Sequence, residues 1–288
     1  MEIIDQSWEI LEFPQFPGKF MEIAGRTCYK SDDKIGCTIP EKEFSPDYCA
    51  AAGLWDDMMG GGVDCNPSCP HHTSHKFVQK LLVNKHLAML EFGSACVRFI
   101  TDRGVTHELV RHRMASYGQE STRWCDYAKA DGVPSLKVIW PVDFTKSSRK
   151  LVEWCLDKWN KGESYCEPWV TPKEGVEPLP WNPSNEDKKA LIWFHQMLNA
   201  EKGYMDMRAL GSKPQQARSV LPNSLKTEIV MYCNLREWMH VFALRSIGVT
   251  GPPHPQIRDL MDQVLMEFAK RFPAMFGPLA EERTKALG

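Results

Sequence analysis

The spacing of apolar residues along the chain predicts irregularly alternating helices and strands. Residues 74–90 carry apolar side chains at helical spacing, whereas residues 92–100 (FGSACVRFI) are typical of a strand. Helical spacing returns over residues 102–115, and residues 138–140 predict a short strand. The sequence contains neither a visible internal repeat nor a GxGxxG fingerprint. The pattern therefore favours a mixed α/β domain over a doubly wound sheet.

The second half of the chain predicts long helices around a strand. Its predicted elements are a helix at 148–160, a long helix at about 185–210, a short helix at 214–220, a strand at 228–232, a helix at 235–246 and a final helix at 255–272. We therefore expect an α+β fold in which a sheet is flanked by long helices.

The length of the chain allows one large core. Of its 288 residues 43% are hydrophobic, and we expect a single domain over residues 1–288. Two stretches interrupt the helix and strand patterns. One lies near residues 56–74 and is rich in glycine, and the other, at 161–184, holds five prolines. We interpret both as insertions.

Charge and composition exclude several classes of protein. The net charge is −2, so the composition gives no indication of a broad basic surface that would bind nucleic acid or a membrane. The N-terminal stretch MEIIDQSWEILEF lacks the features of a signal peptide, and no apolar run is long enough to span a bilayer. Ten cysteines without a secretory signal predict reduced thiols and a cytoplasmic protein.

The segment from Cys65 to His75 contains enough sulfur and imidazole groups to raise the question of zinc. It has only one cysteine pair, at an unusual spacing, so we expect no metal and interpret the segment as a loop. That loop would lead into a helix capped by Ser74. A zinc-dependent nucleic-acid module is a weak alternative, because the chain lacks a basic surface.

The stretch THELVRHRMASYGQESTRW concentrates cationic and polar side chains beyond what a core requires. A helix here would place Glu108, Arg111 and His112 on one face. Residues 116–122 would then form a turn with exposed backbone amides. Together with Arg123, such a turn offers the groups that bind a phosphate.

Further polar side chains follow a predicted strand near the C-terminus. Asn234, Arg236, His240 and Arg245 would project from one helix toward a common pocket, and His86 lies in a separate polar segment, HLAMLE. A single arginine is usually a solvated surface charge, and a single histidine usually makes a structural hydrogen bond. The joint pattern instead indicates a site for an anionic ligand.

At these residues the chain resembles a known family. The motif RHR followed by seven residues and Ser, here RHRMASYGQES, resembles the signature of the flavin-dependent thymidylate synthases, the ThyX family. Other segments resemble the family in order and spacing: HLAMLEF, THELVRHR, ARSVLP, NLREWMHVFALR and HPQIRDLM. The resemblance covers about residues 20–30 and 75–275.

The resemblance implies a fold, a reaction and an assembly. The chain would be a single catalytic domain with the ThyX fold, and it would form a homotetramer with active sites at subunit junctions. FAD reduced by NADPH would pass a hydride after a one-carbon unit from 5,10-methylenetetrahydrofolate reaches C5 of dUMP, giving dTMP.

The resemblance also implies a role for individual residues. FAD would be contacted by His86, Arg111, His112, Arg113, Gln119, Asn234, Arg236 and His240. The nucleotide dUMP would be contacted by Glu108, Arg111, Gln119, Ser121, Thr122, Arg123, Arg218 and Arg245. Arg245 would be the catalytic residue, because it matches the arginine beside N3 of the pyrimidine, and a guanidinium there stabilises a developing anion.

The chain also departs from the family pattern at four positions. Ala88 stands where Ser or Thr often contacts FAD, and Phe92 stands where His is common. Gly118 replaces a frequent Asn or Ser, and Trp124 a frequent Tyr. None of these changes removes a charged group from the proposed chemistry.

Other functions remain open at this point. The same fold could act on another pyrimidine nucleotide, such as dCMP, or form a hydroxymethyl product. A flavin- or nucleotide-binding protein without catalysis is a further alternative, but such a protein would not need Arg245. Cys125 and Cys233 lie nearest to the polar segments, and we interpret both as structural because a nucleophilic thiol must be exposed and ionised.

Overall fold

A computed structural model describes residues 1–36, 73–129, 135–163 and 179–286 of the chain. Both predicted insertions lie mostly outside the described residues, as does most of the segment from Cys65 to His75. Within the described residues helices and strands alternate irregularly, and the predicted mixed α/β class is confirmed.

The described elements are as follows. The strands are β1 (Glu2–Ile4), β2 (Ser7–Glu12), β3 (Ser94–Asp102), β4 (Ala115–Gln119), β5 (Lys137–Ile139) and β6 (Lys226–Asn234). The helices are α1 (Pro17–Tyr29), α2 (Thr73–Val83), α3 (Arg103–Leu109), α4 (Lys146–Asn160), α5 (Asn185–Ala209), α6 (Pro214–Ala217), α7 (Leu235–Phe242), α8 (Pro255–Arg271) and α9 (Pro273–Lys285). No described helix is both long enough and apolar enough to cross a membrane.

The chain divides into two compact units, and each is assembled from three stretches. Unit 1 comprises Met1–Ser7, Ile100–Leu109 and Gln119–Ile229, and unit 2 comprises Trp8–Phe99, Val110–Gly118 and Val230–Gly288. Strands β3, β4 and β6 each begin in one unit and end in the other. The single catalytic domain over residues 1–288 stays a prediction.

Unit 1 is built on a pair of strands and two packed helices. β1 pairs in parallel with β5. Helices α4 and α5 bury apolar side chains in a shared core, including Leu151 and Phe194. Helix α5 begins with a capping box, in which the Ser184 hydroxyl accepts the Asp187 N–H and the Asp187 carboxylate accepts the Ser184 N–H. The cap satisfies amides that would otherwise lack partners at the helix start.

A four-stranded sheet has the strand order β2–β3–β6–β4, and most of its residues belong to unit 2. Alternate side chains of β3 and β6 are buried, as expected for a sheet with one face on a core. Trp238 of α7 packs on β3, where its Nε1–H donates to the Ala95 carbonyl over 3.2 Å and its ring contacts Phe99. The Trp238 ring also contacts Phe242 of α7 and Phe268 of α8. These aromatic contacts fix α7 on the sheet.

Most predicted elements of the second half are confirmed with small shifts at their ends. The helices at 148–160, 185–210 and 255–272 are α4, α5 and α8, and the strands at 138–140 and 228–232 are β5 and β6. The predicted strand at 92–100 is β3, which begins and ends two residues later.

The prediction of one helix over residues 74–90 was wrong. Helix α2 ends at Val83, Lys85 takes a left-handed φ of 56°, and Leu87–Glu91 form a separate 3-10 turn. A left-handed residue ends an α-helix because its carbonyl and amide leave the helical hydrogen-bond pattern.

The prediction of a helix over residues 102–115 was also wrong at its C-terminal end. Helix α3 stops at Leu109, and residues 115–119 form β4 at the edge of the sheet. Ser116 and Gly118 therefore belong to a strand and not to the predicted turn. Pairing in the sheet determines the conformation of residues 115–119, and Met114, which precedes the strand, is exposed.

The C-terminal elements also differ from expectation. Helix α7 ends at Phe242, and Ala243–Ile247 form a π-helical turn in place of the predicted helical end. Helix α9 follows α8 directly, because Pro273 is favourable in the first turn of a helix, although the same proline can also end one. The sequence pattern did not predict β1, β2, α1 or α9.

The aromatic core of unit 2 gives a first testable prediction. Phe268 is fully buried and contacts Trp238, Phe242 and Phe276, so Phe268→Ala should lower the free energy of unfolding by about 3–5 kcal/mol. Urea denaturation measures the change. Phe20→Ala is the matched control and should cost less than about 0.5 kcal/mol, since Phe20 is exposed. A cost below about 1 kcal/mol for Phe268→Ala would contradict this packing.

Candidate active site

The RHR segment follows helix α3 and turns one side chain inward and two outward. His112 is only 4% exposed, whereas Arg111 and Arg113 are exposed. The Tyr117 hydroxyl donates to the His112 carbonyl over 2.8 Å and holds the backbone of the segment against β4. Because α3 ends at Leu109, the predicted helical face of Glu108, Arg111 and His112 does not form.

Arg245 reaches His112 from a distant part of the chain within unit 2. Its Nε–H donates to His112 Nε2 over 3.2 Å. A guanidinium carries only donors, so Nε2 must hold a lone pair and the ring proton lies on Nδ1. On its other side His112 Nδ1 lies 3.8 Å from Glu237 Oε1, and the His112 ring meets the His240 ring edge to face.

Three of the predicted site residues lie at the N-cap and on the first two turns of helix α7. Asn234 caps the helix, and its Oδ1 accepts the Glu237 N–H over 2.8 Å. Arg236 is exposed and forms an ion pair with Glu91. His240 follows Arg236 by one helical turn, so both side chains lie on one side of α7.

Arg245 is carried by the π-helical turn that follows α7. The turn Ala243–Ile247 is closed by Gly248, which has a φ of 85°. A Cβ at position 248 would lie 2.8 Å from the Gly251 carbonyl oxygen, so only glycine fits there. The chain therefore reverses immediately after the arginine.

Two cavities in unit 2 share Leu87 and Arg236. The first has a volume of about 470 Å³ and the second of about 580 Å³. The first is lined also by Cys28, Tyr29, His86 and Ala88, and the second by Asn234, Glu237, Met239 and His240. The lining combines cations, the amide of Asn234 and apolar side chains with the carboxylates of Glu91 and Glu237 in the second cavity. The cations and apolar groups suit an anionic ligand that carries rings.

In unit 1 the residues after β4 form a short polar segment. Thr122 is buried, and its hydroxyl accepts a hydrogen bond from Arg218 Nη1 over 3.5 Å. Arg123 donates its Nε–H to Gln215 over 3.1 Å, and its backbone N–H donates to the Ser121 hydroxyl over 3.3 Å. Hydroxyls and two guanidinium groups thus lie close together, as a phosphate requires.

This polar segment is anchored by Glu120. One carboxylate oxygen of Glu120 accepts from the Tyr127 hydroxyl and the other from Lys226, each over 3.0 Å. Asp126 forms a two-point ion pair with Arg208 of α5. Residues 121–125 are therefore held at both ends.

Gln119, at the end of β4, is oriented by two buried threonines. The Thr106 hydroxyl donates to the Arg103 carbonyl, so its oxygen can only accept from Gln119 Nε2, over 2.9 Å. Thr227 accepts from the same nitrogen over 3.3 Å. The amide nitrogen is therefore the inward end of the Gln119 side chain.

The two predicted ligand sets separate between the units. Of the residues expected to contact FAD, all but Gln119 lie in unit 2. Of those expected to contact dUMP, all but Arg111 and Arg245 lie in unit 1. Within unit 2 the structure brings together His112, His240 and Arg245, and within unit 1 it brings together Thr122 and Arg218.

Sequence reasoning missed the residues that support these groups. Glu237 could have been found, because Asn-x-x-Glu at a helix start is a capping pattern and Glu237 lies one turn before His240. Glu120 and Lys226 pair across the β4 and β6 segments, and single-residue patterns carry no signal for such a pair. The sequence indicates the ligand-binding side chains better than the residues that hold those side chains in place.

Comparison with known proteins decides the family. The family described as thymidylate synthase complementing protein (Thy1) matches residues 9–274. Relatives that match over much of their length are named flavin-dependent thymidylate synthase. The chain belongs to the flavin-dependent thymidylate synthase (ThyX) family.

The relatives are distant in sequence but cover most of the chain. The enzyme of Mycobacteroides abscessus is 27% identical over 71% of this chain and 69% of its own length. That of Corynebacterium glutamicum is 25% identical over 89% of this chain and 77% of its own length. The crystal structure of the UMP/dUMP methylase PolB from Streptomyces cacaoi, bound with 5-Br dUMP, covers 96% of both chains with a TM-score of 0.62 at 15% identity. That likeness shows the fold, and the predicted fold type, family and enzyme class are confirmed.

The donor set of this ThyX chain fits a flavin cofactor. FAD combines a pyrophosphate with two ring systems, and the cavities that share Arg236 offer cationic, amide and apolar groups. The family is flavin-dependent, which supports FAD. At position 88 the alanine lines the first cavity without a hydroxyl.

His112, Glu237 and His240 also lie close enough together to raise the question of a metal. One ligand atom from each lies within 4.8 Å of the others. The bond from Arg245 keeps the His112 proton on Nδ1, which is the nitrogen that faces Glu237. A cation there would have to displace that proton beside a permanent positive charge, so this donor set does not favour a metal.

The two cysteines nearest the site have environments that suit structural roles. Burial raises the pKa of the Cys233 thiol, and nearby Glu237 raises it further. A protonated buried thiol is a poor nucleophile. Cys125 is partly buried in the polar segment of unit 1.

The surroundings of His112 keep its ring neutral. Burial, the largest cause, together with the neighbouring Arg245 and His240 lowers the pKa of His112 from 6.5 to about 4. Glu237 Oε1 lies 3.8 Å from its Nδ1, and the Tyr117 hydroxyl donates to its backbone carbonyl. The ring can therefore accept the Arg245 hydrogen bond throughout the neutral range.

This environment predicts a pH-dependent contribution to stability. Because the pKa of His112 is lower in the folded chain, the unfolded chain binds a proton first as the pH falls. Wild type should therefore lose about 3 kcal/mol relative to His112→Gln between pH 7 and pH 4. Urea denaturation of both proteins at several pH values measures this difference. If the difference in the free energy of unfolding between the two proteins did not change with pH, the pKa of His112 would be the same in the folded and unfolded chains.

Proposed function

We propose that the chain is a thymidylate synthase that converts dUMP to dTMP. FAD would be its flavin, NADPH the reductant and 5,10-methylenetetrahydrofolate the one-carbon donor. The observation that carries the proposal is the hydrogen bond between Arg245 and neutral His112, since both residues belong to segments that resemble the family and lie far apart in sequence. The homotetramer and the cytoplasmic location stay predictions.

The groups that would hold the flavin lie in unit 2. Arg236 lines both cavities, and Asn234 and His240 line the second. Exposed arginines in the RHR segment add donors for a pyrophosphate. When bound there, FAD would supply the hydride that NADPH provides.

The groups that would hold the nucleotide phosphate lie in unit 1. Ser121 and Thr122 offer hydroxyls, and Arg123 and Arg218 offer guanidinium groups within the same short segment. Charge-assisted bonds of this kind are stronger than neutral ones. The anchors at Glu120 and Asp126 preorganise the segment and reduce the entropy lost on binding.

Arg245 would activate the pyrimidine. C5 of uracil is a poor nucleophile while N3 keeps its proton, and release of that proton to solvent shifts electron density toward C5. A guanidinium beside N3 and O2 stabilises the resulting anion and does not lose its own proton at working pH. His112 accepts from Nε and leaves the charge of Arg245 unchanged.

A turnover assay with single omissions tests the proposal. Purified protein with FAD, NADPH, 5,10-methylenetetrahydrofolate and dUMP should form dTMP, detected by mass spectrometry as a nucleotide with one added methyl group. Omission of any one component should abolish the product once endogenous flavin is removed. Replacing dUMP by dCMP or UMP identifies the true substrate, and a product from dCMP alone would overturn the dUMP assignment.

The role of Arg245 predicts a separation between flavin reduction and methyl transfer. Arg245→Ala should bind flavin and accept a hydride from NADPH at a near-normal rate, but form dTMP about a hundredfold more slowly or worse. Arg245→Lys should also be slow, because lysine lacks the planar fork. Arg271→Ala, which removes an exposed arginine of α8, is the control and should keep full activity. Near-normal dTMP formation by Arg245→Ala would remove the residue from the mechanism.

The phosphate site predicts a selective loss of nucleotide affinity. Arg123→Ala and Arg218→Ala should each weaken dUMP binding by about 1.5–3 kcal/mol and leave FAD binding unchanged. Calorimetric titration with each ligand measures both affinities. Lys202→Ala removes an exposed cation from α5 and should change neither affinity. Unchanged dUMP affinity in both arginine variants would reject this placement of the phosphate.

A further inference from the structure

We propose that His112 is a positioning residue for Arg245, and that its Nε2 atom sets the plane of the Arg245 guanidinium through the Nε hydrogen bond. This inference rests on the proposed function in one respect, the activation of the pyrimidine by the Arg245 guanidinium. The hydrogen bond between His112 and Arg245 lies within unit 2 and does not depend on that function. The role is separate from the flavin contact that the family resemblance implies for His112.

The chemistry of the bond allows only one arrangement. Arg245 Nε is always a donor, so His112 must be neutral and protonated on Nδ1. A guanidinium is planar, and a hydrogen bond at Nε therefore restricts the rotation of the whole group. The orientation of Arg245 thus depends on the tautomer of a neighbouring ring.

His112 is itself held on three sides. Tyr117 fixes its backbone carbonyl, and burial restricts its ring. Glu237 Oε1, at 3.8 Å from Nδ1, is beyond normal hydrogen-bond length, but its negative potential favours the proton on Nδ1. Asn234 in turn fixes the Glu237 backbone as the cap of α7.

The backbone that carries Arg245 is also fixed. The next residue, Ser246, donates its hydroxyl to Asp262 over 2.5 Å, and Arg283 binds the same carboxylate through two nitrogens. With the main chain held, the side-chain torsions of Arg245 are the remaining freedom. The bond to His112 restricts these torsions, and a planar fork must be oriented to recognise the planar edge of a base.

Two His112 variants test whether a hydrogen-bond acceptor at the position of Nε2 is what matters. Glutamine places its amide oxygen near the position of Nε2, whereas asparagine is shorter and reaches only the position of Nδ1. His112→Gln should therefore keep methyl transfer within about fivefold of wild type, and His112→Asn should lose about thirtyfold or more. The rates are measured after flavin has been loaded and reduced, so that flavin affinity does not enter. Equal rates for the two variants would overturn the proposal.

A double-mutant cycle then tests whether His112 acts through Arg245. In an Arg245→Ala background, His112→Asn should change the rate of methyl transfer by less than about twofold. A residue that acted only through the flavin would lower the rate by the same factor in both backgrounds. Such an additive result would contradict the positioning role.

A spectroscopic measurement keeps the proposal testable if a variant does not fold or if the enzyme does not make dTMP. Nitrogen-15 NMR of histidine-labelled wild type should show His112 as the Nδ1–H tautomer, with its signals assigned by their loss in His112→Gln. In Arg245→Ala that preference should weaken. An Nε2–H tautomer in wild type would overturn the proposal, whatever reaction the protein catalyses. Absence of dTMP formation together with the Nδ1–H tautomer would instead reject only the proposed function.

Discussion

A permanently charged guanidinium beside a buried imidazole is the constraint on which the candidate site depends. Arg245 cannot release a proton, so His112 must stay neutral and present a lone pair. Burial, with smaller contributions from Arg245 and His240, lowers the pKa of His112 and keeps it in that state. The aromatic packing of Trp238 on β3 fixes α7, and α7 leads directly into the turn that carries Arg245. Core packing and site electrostatics are therefore linked through one helix.

The arrangement explains why so many cations occur near the RHR segment. Within the RHR segment His112 is buried and neutral, whereas Arg111 and Arg113 are exposed and their charges are solvated. The arginines of unit 1 lie among hydroxyls, and their segment is anchored by Glu120 and Lys226. In the account proposed here, flavin and nucleotide phosphates supply the negative charge. The ThyX family assignment and the predicted flavin chemistry agree with this distribution.

Much of the fold followed from periodicity, because the helices of the second half have long apolar stripes. The wrong secondary-structure predictions have a common cause: they depend on contacts with distant parts of the chain, which the spacing of apolar residues does not encode. Residues 116–119 were predicted to form a turn but pair in the sheet as part of β4, and helix α2 ends at Val83, shortly before the left-handed Lys85. The ligand groups were predictable from motifs that concentrate charge. The pair of Glu120 and Lys226 that anchors the segment after β4 was not predictable, because only the fold brings these two residues into contact.

The central claim is that this chain uses a bound flavin to methylate a pyrimidine nucleotide. The most direct test follows the absorbance of the enzyme-bound flavin without oxygen. The account predicts that NADPH bleaches the oxidised flavin bands, and that they return only when dUMP and 5,10-methylenetetrahydrofolate are both added. A protein that neither retains flavin on purification nor binds added FAD would contradict the account. So would a reduced flavin that the two substrates together leave unchanged.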